Sequence, residues 1–200
     1  EFIPADDALR ERVATGRGLT RPELAVLLAY AKISAYRELL ETSVPDDPYL
    51  GRELYRYFPE QLNQSFPDAV AQHRLRREVI ATVLSNAMIN RGGPAFLYEM
   101  QMATSADVGT IAAAYAAARD SYGLQDENAA IDALDGTIPG STQLALYAEV
   151  QQLLVRETLW FLRNAQFGAG LQPRVDRYRA GVEVVRANLG SLLPPMLSEG

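Results

Sequence analysis

Apolar positions along this chain recur at steps of three and four residues, and the interruptions fall on glycine and proline. Thr20-Arg21-Pro22-Glu23 reads as a capping box, with Thr20 as N-cap and Glu23 reaching back to its amide. The helix it opens runs to about Glu41. Leu24, Leu27, Leu28 and Ala31 lie on one side of it, and Ile33, Tyr36 and Leu40 on another. So wide an apolar surface predicts a central helix packed on more than one side. Ser43-Val44-Pro45 breaks it, and Asp46 or Asp47 caps the next helix ahead of Pro48, with Leu50, Leu54 and Tyr57 inward. Pro59 starts a short turn through Leu62. Pro67-Asp68 opens a long helix to about Asn90, ended by Arg91-Gly92-Gly93-Pro94.

The second half reads the same way. A short helix runs from Pro94 to Met102, and Ser105 caps an alanine-rich helix through Arg119. Ala112, Ala113, Ala116 and Ala117 in it allow close approach of another helix. Gly123 ends that helix, and Glu127 to Leu134 forms one more short one. Pro139-Gly140-Ser141 precedes a long helix to about Asn164, striped by Tyr147, Val150, Leu154 and Phe161. Gly168 and Gly170 mark a loop, a last helix spans roughly Arg174 to Leu189, and Pro194-Pro195 begins the tail. No window alternates at period two with β-branched residues, and no repeat period is visible. The expectation is an all-α fold, about nine helices in a multi-helix bundle with no β-sheet. Residues 1–200 are expected to form a single helical domain, with Gly123 to Pro139 as a candidate seam between two lobes.

Composition narrows the chemistry. The chain has 200 residues, 48% of them apolar and 22% charged, which excludes wholesale disorder. It carries 19 basic against 25 acidic residues, a formal charge of -6. That balance argues against nucleic acid or an anionic membrane as a partner. There is no cysteine, which removes disulfides, thiolate metal sites and cysteine nucleophiles, and fits a cytoplasmic setting. One histidine, His73, excludes every multi-histidine metal site, and Lys32 is the single lysine. The start, Glu1-Phe2-Ile3-Pro4, has no methionine and no signal-peptide pattern, so the chain reads as an excerpt of a longer one. The longest uncharged stretch, Gly136 to Ala148, has thirteen residues, and Val79 to Asn90 and Ala187 to Ser198 have twelve each, all well short of the ~20 that span a bilayer.

Each candidate site has a plainer reading beside it. Gly16-Arg17-Gly18-Leu19-Thr20-Arg21 and Gly168-Ala169-Gly170-Leu171-Gln172-Pro173 carry two glycines of a dinucleotide fingerprint. Both lack the third glycine and the preceding strand, so they read as loops between helices. Asp46-Asp47 resembles the start of an acidic magnesium motif, but position 50 is leucine, and helix capping is the better reading. His73 has no nucleophile elbow to serve and lies among arginines that disfavour its cationic form. Arg74, Arg76 and Arg77 could bind an anion or a carboxylate-bearing surface, with Glu78 and Asp68 able to neutralise part of that charge. Asn86 and Asn90, four apart on a helix, share a flank with Leu75, Val79 and Val83. An amide buried there without a partner costs about 1–3 kcal/mol, so each needs a loop carbonyl or a neighbouring domain. Trp160-Phe161, with Arg156 and Arg163, reads either as core or as a contact patch.

Several literal runs resemble a known family. They are Gly18-Leu19-Thr20-Arg21-Pro22-Glu23-Leu24-Ala25-Val26-Leu27-Leu28-Ala29-Tyr30-Ala31-Lys32, Asp46-Asp47-Pro48-Tyr49-Leu50, Tyr57-Phe58-Pro59, His73-Arg74-Leu75-Arg76-Arg77-Glu78, Asn90-Arg91-Gly92-Gly93-Pro94, and Ala114-Tyr115-Ala116-Ala117-Ala118-Arg119. In order and spacing, from about Phe2 to Asn164, they resemble the large multidomain bacterial NAD-dependent glutamate dehydrogenases. The resemblance is to the helical C-terminal part that follows the catalytic domain. It implies a parent enzyme that converts L-glutamate, NAD and water to 2-oxoglutarate, ammonia and NADH. The family's catalytic lysine and aspartate and its nucleotide-binding glycines belong upstream, and no position here matches them. The segment itself is therefore expected to hold no catalytic, cofactor or metal residues and to be inactive alone, NAD serving the parent. Its expected role is to brace the upstream catalytic domain of the same chain or to support a homo-oligomer. The candidate interdomain contacts are Arg74, Arg77, Asn86, Asn90 and Arg91, beside the Gly-Gly-Pro end. A module that binds a separate protein, or a regulatory small-molecule pocket among arginines and tyrosines, remains open beside that reading.

Overall fold

A computed structural model describes residues 3–165 and 170–192. Among the described residues there are twelve α-helices, two 3₁₀ turns and no strand, so the fold is all-α. Two compact units divide the chain, Glu1–Gly109 and Thr110–Gly200. The division falls upstream of the Gly123 to Pro139 stretch read as a candidate seam. The physical reason lies in what fills that stretch. A helix, Leu124–Asp132, occupies most of it and is tied to the helix that follows, Gly140–Asn164. Gln143 donates to the Ile131 carbonyl at 3.0 Å, and the Tyr147 hydroxyl donates to the Asp132 carboxylate.

The first unit begins with α1 (Asp6–Ala14) and α2 (Arg21–Leu40). The 3₁₀ turns Val44–Asp46 and Pro48–Gly51 lead into α3 (Arg52–Tyr57), α4 (Glu60–Ser65) and α5 (Pro67–Ala71). Then come α6 (Arg76–Gly92) and α7 (Phe96–Thr104). Helix α6 organises this unit. Its Ile80, Ala81, Leu84, Ser85, Met88 and Ile89 are buried, a stripe repeating at four-residue steps. Against that stripe pack α2, through Ala35 and Leu39, and α3, through Leu54. Burying each large aliphatic side chain here contributes roughly 1.5–3 kcal/mol.

Helix α2 differs from the sequence expectation. It buries only Ala35 and Leu39, near its C-terminal end, while Leu24, Tyr30 and Ile33 stay exposed. The sequence showed how much apolar surface the helix has, but not how little of it the neighbouring helices would reach. Its start is as read: Thr20 accepts from the Glu23 amide at 3.5 Å, and Glu23 accepts from the Thr20 amide at 2.7 Å. Arg12 of α1 adds an ion pair to Glu23 at 2.7 Å. Hydrogen bonding from Arg12, then from Thr20, holds the Glu23 carboxyl down at about 2, and the same contact raises Arg12.

The single long helix expected from Pro67 to Asn90 is two helices. His73 turns the chain between α5 and α6, its Nδ1 accepting from the Leu75 amide at 3.2 Å while its ring packs on Phe58 at 5.2 Å. Ser105 does not cap the alanine-rich helix. It closes α7 in the left-handed conformation, φ 58°, and its amide donates to the Gln101 carbonyl at 2.7 Å.

The second unit contains most of α8 (Val108–Ser121), followed by α9 (Leu124–Asp132), α10 (Gly140–Asn164), α11 (Gln172–Ala187) and α12 (Leu189–Leu192). Every residue of α8 from Ile111 to Ser121 is buried. Because eleven consecutive positions cover three turns, the helix is enclosed on all faces. Inside it Arg119 and Asp120 form a bidentate pair, at 2.7 and 2.9 Å. The C-terminal carbonyls of α8 are closed by arginines of α11. Arg179 donates to Asp120 O at 3.1 Å and Arg186 to Tyr122 O at 2.7 Å, where cations complement the helix dipole. The Tyr122 hydroxyl donates to Glu157 at 2.7 Å. Burial first, then that bond, pushes the Tyr122 phenol up to about 12. The Gly168-Ala169 pair and the Pro194-Pro195 tail lie outside the described residues. No helix among those described is long and apolar enough to cross a membrane.

Candidate functional site

The five residues singled out from the sequence all lie on or beside α6, but they do not converge. Arg74 sits in the turn before the helix, and Arg91 lies in its last turn. A rise of 1.5 Å per residue puts the two ends about 25 Å apart. The arrangement is a linear face, not a pocket in which groups could act on one bound atom.

Along that face each residue has a different situation. Arg74 and Arg91 are exposed. Arg77 turns inward and closes the end of α2, donating to the Leu40 carbonyl at 2.8 Å and the Thr42 carbonyl at 3.0 Å. It also pairs with Asp46 just beyond. Its guanidinium is thus engaged inside the first unit, where it satisfies carbonyls that a helix end leaves unmade. Asn86 is half-buried and Asn90 exposed, and neither amide has a hydrogen-bond partner among the described residues. They continue a stripe with Leu75, 49% exposed, and the half-buried Val79 and Val83. Positions 75, 79, 83, 86 and 90 fall on one side of a helix, so this flank of α6 is apolar, amide-tipped and incompletely covered.

The Gly-Gly-Pro end is a tight corner. A side chain at Gly92 would meet the Phe96 ring at 2.5 Å, and Gly93 has φ 98°. Phe96 is fully buried against that missing side chain. The two glycines therefore let α7 fold back directly beneath α6.

The other sequence candidates take plain structural roles. Asp47 caps the second 3₁₀ turn through the Tyr49 amide at 2.8 Å. Phe161 is buried, while Trp160 is at the surface, and both rings meet Tyr178 edge-on. Lys32 lies inside α2. Among the described residues no group of three or more His, Asp or Glu could hold a metal ion.

A dinucleotide does not fit the residues around Gly16 and Gly18. Helix α2 does begin just after them, but the Glu23 carboxylate already occupies its first turn. A pyrophosphate there would meet that negative charge instead of free backbone amides.

One feature escaped the sequence reading. A trough of about 880 Å³ in the second unit is lined by α9, α10 and α11, and its only sequence signal was a glycine, Gly181, in the middle of α11.

Comparison with known proteins gives this linear face its context. A family model described as glutamate dehydrogenase, C-terminal, matches residues 16–199. The NAD-specific glutamate dehydrogenase of Pseudomonas aeruginosa is 40% identical over 164 residues, 82% of this chain and 10% of that protein. Its namesake in Halomonas elongata is 36% identical over 193 residues, 96% of this chain and 12% of that protein. That of Mycobacterium tuberculosis is 29% identical over 195 residues, with the same two shares. The chain thus spans about a tenth of the length of these curated relatives. With all but the first fifteen residues and the last one matched, this all-helical chain belongs to the glutamate dehydrogenase C-terminal family.

Proposed function

We infer that this chain is a helical support within an NAD-dependent glutamate dehydrogenase, and that the redox chemistry is carried by other parts of the polypeptide. The reaction of that whole enzyme is the oxidative deamination of L-glutamate. Glutamate, NAD and water become 2-oxoglutarate, ammonia and NADH. The role of these 200 residues is to brace the catalytic part, limiting its hinge motion, or to support assembly of a homo-oligomer.

The observation that carries this reading is the uncovered flank of α6. An apolar stripe, Leu75, Val79 and Val83, runs into two amides that have no partner among the described residues. Such a face suits a polar-rimmed contact with another domain, where Asn86 and Asn90 would find backbone groups. Arg74, exposed at the start of the stripe, is placed to meet a carboxylate. Arg77 belongs to the scaffold beneath.

The test introduces Val79→Glu together with Val83→Glu in the full-length enzyme. Both positions are half-buried, so the change falls on the flank and not on the buried stripe. The expected result is a lower melting temperature and a lower kcat for the whole enzyme, with the far-UV CD of this segment alone unaltered. Unchanged melting and kinetics in the full-length variant would overturn the docking of this face.

A further inference from the structure

The trough in the second unit has no role in the reading above. Its floor is apolar: Leu124 from α9, Val150 and Leu153 from α10, and Val182 and Val185 from α11, with Leu189 at one end. Its rim carries both signs of charge. Glu127 pairs with Arg186 at 2.6 Å on one side, and Glu149, Arg156 and Arg177 lie on the other parts of the lining. Leu153 is 36% exposed, Leu189 42% and Val185 53%, so the apolar floor is open along its length.

Gly181 adds a second, independent observation. It sits in the interior of the 16-residue helix α11, where glycine is among the poorest helix formers. Packing does not require it, because a Cβ there would meet nothing within 4 Å. No turn requires it either, since it lies mid-helix. What the missing side chain does is leave the trough wall flat.

We propose that this trough seats an amphipathic helix from the same polypeptide, outside these 200 residues. The shape decides against a small molecule. Small-ligand sites bury most of their occupant, whereas this floor stays open over about 14 Å along α11, from Arg177 to Arg186. That length and a mixed-charge rim match an apolar helix face bordered by acidic and basic residues. Size decides against a second copy. The lining offers only a fraction of the roughly 800 Å² per partner that a stable association of separate chains needs. A segment tethered in the same chain overcomes that deficit through its effective concentration. The curated relatives supply the room, since this chain makes up only 10–12% of their length. The inference needs only that longer polypeptide from the proposed function, and a failure of the α6 face would leave it standing.

The experiment places the photocrosslinker p-benzoylphenylalanine at Gly181 in the full-length protein. Irradiation is expected to give one dominant intramolecular crosslink, mapped by mass spectrometry to a helical segment outside these 200 residues. As a second readout, Leu153→Glu with Val185→Glu in the full-length protein should speed amide exchange in α11 by about tenfold or more. Both residues are partly exposed, so the unit itself should still fold, which unchanged amide protection of the enclosed helix α8 in the same exchange experiment would report. Crosslinks between two copies, crosslinks confined to residues 1–200, or no crosslink together with unchanged exchange would each overturn the proposal.

Discussion

The two units bury their helices by different means. In the first, bulky aliphatic side chains of α6 interlock with those of α2 and α3, and the charged groups stay at the edge except Glu53, which is fully buried and paired with the part-exposed Arg56. Arg77 is the example, half out of the core and holding the end of α2 by its carbonyls. In the second, the enclosed helix is mostly alanine, and beside the buried Tyr115 it holds an ion pair with both members buried. Alanine lets backbones approach closely but contributes little area each, so this unit depends more on placed polar contacts. The contrast predicts that losing one charge is worse in the second unit, while losing one methyl cluster is worse in the first.

The most damaging single change should be Asp120→Ala. It leaves the Arg119 guanidinium buried without its carboxylate, an expected loss of about 3–5 kcal/mol in urea unfolding. Replacing both members by leucine and methionine should recover most of that, which separates the charge from the packing. Next is Leu84→Ala in the fully buried stripe of α6, with an expected loss of about 3 kcal/mol. The single tryptophan, Trp160, reports the second unit, and far-UV CD reports both. Asp120→Ala should move the fluorescence transition most, and Leu84→Ala the CD transition. If both probes shift together in both variants, the contrast between the units has no thermodynamic meaning.

A smaller effect is expected from Arg77→Leu, about 1 kcal/mol, because the side chain is more than a third exposed and solvent screens the pair with Asp46. Arg77→Lys should recover only part of it, since an ammonium cannot reach two carbonyls and a carboxylate in one plane. Amide exchange at the α2 C-terminus is the measurement. The smallest effect concerns pH. Glu23 is held near 2, below its ordinary value of 4.5, so its contribution is complete above 4.5 and is lost as pH falls through about 2. An NMR titration should place the Glu23 carboxyl well below the other glutamates, and Arg12→Ala should return it toward the ordinary range.

What could be read from the sequence followed local chemistry. The capping box at Thr20 and Glu23 is a four-residue pattern, and it is present as read. The long helix after Pro139, the left-handed Gly123 and the capping role of Asp47 likewise depend on near neighbours. Helix α1 was not read, because its nine residues are mostly polar and none is buried. The break at His73 was missed because a ring nitrogen accepting a backbone amide leaves no trace in hydrophobic period. At the candidate face, the location of the five residues on α6 was legible, but the division of labour among them was not. Arg77 finds carbonyls 35 and 37 residues away, a separation no local pattern encodes. The trough was invisible for the same reason, since it exists only once three helices are in place.

The grip of Arg77 has a consequence for the continuity of the chain. It holds Leu40 and Thr42 on one side of a bend and Asp46 on the other. Severed at that bend, the two pieces would still share an anchor and a hydrophobic seam. This corner is therefore where the polypeptide could be split into complementary fragments that reassemble without a covalent link.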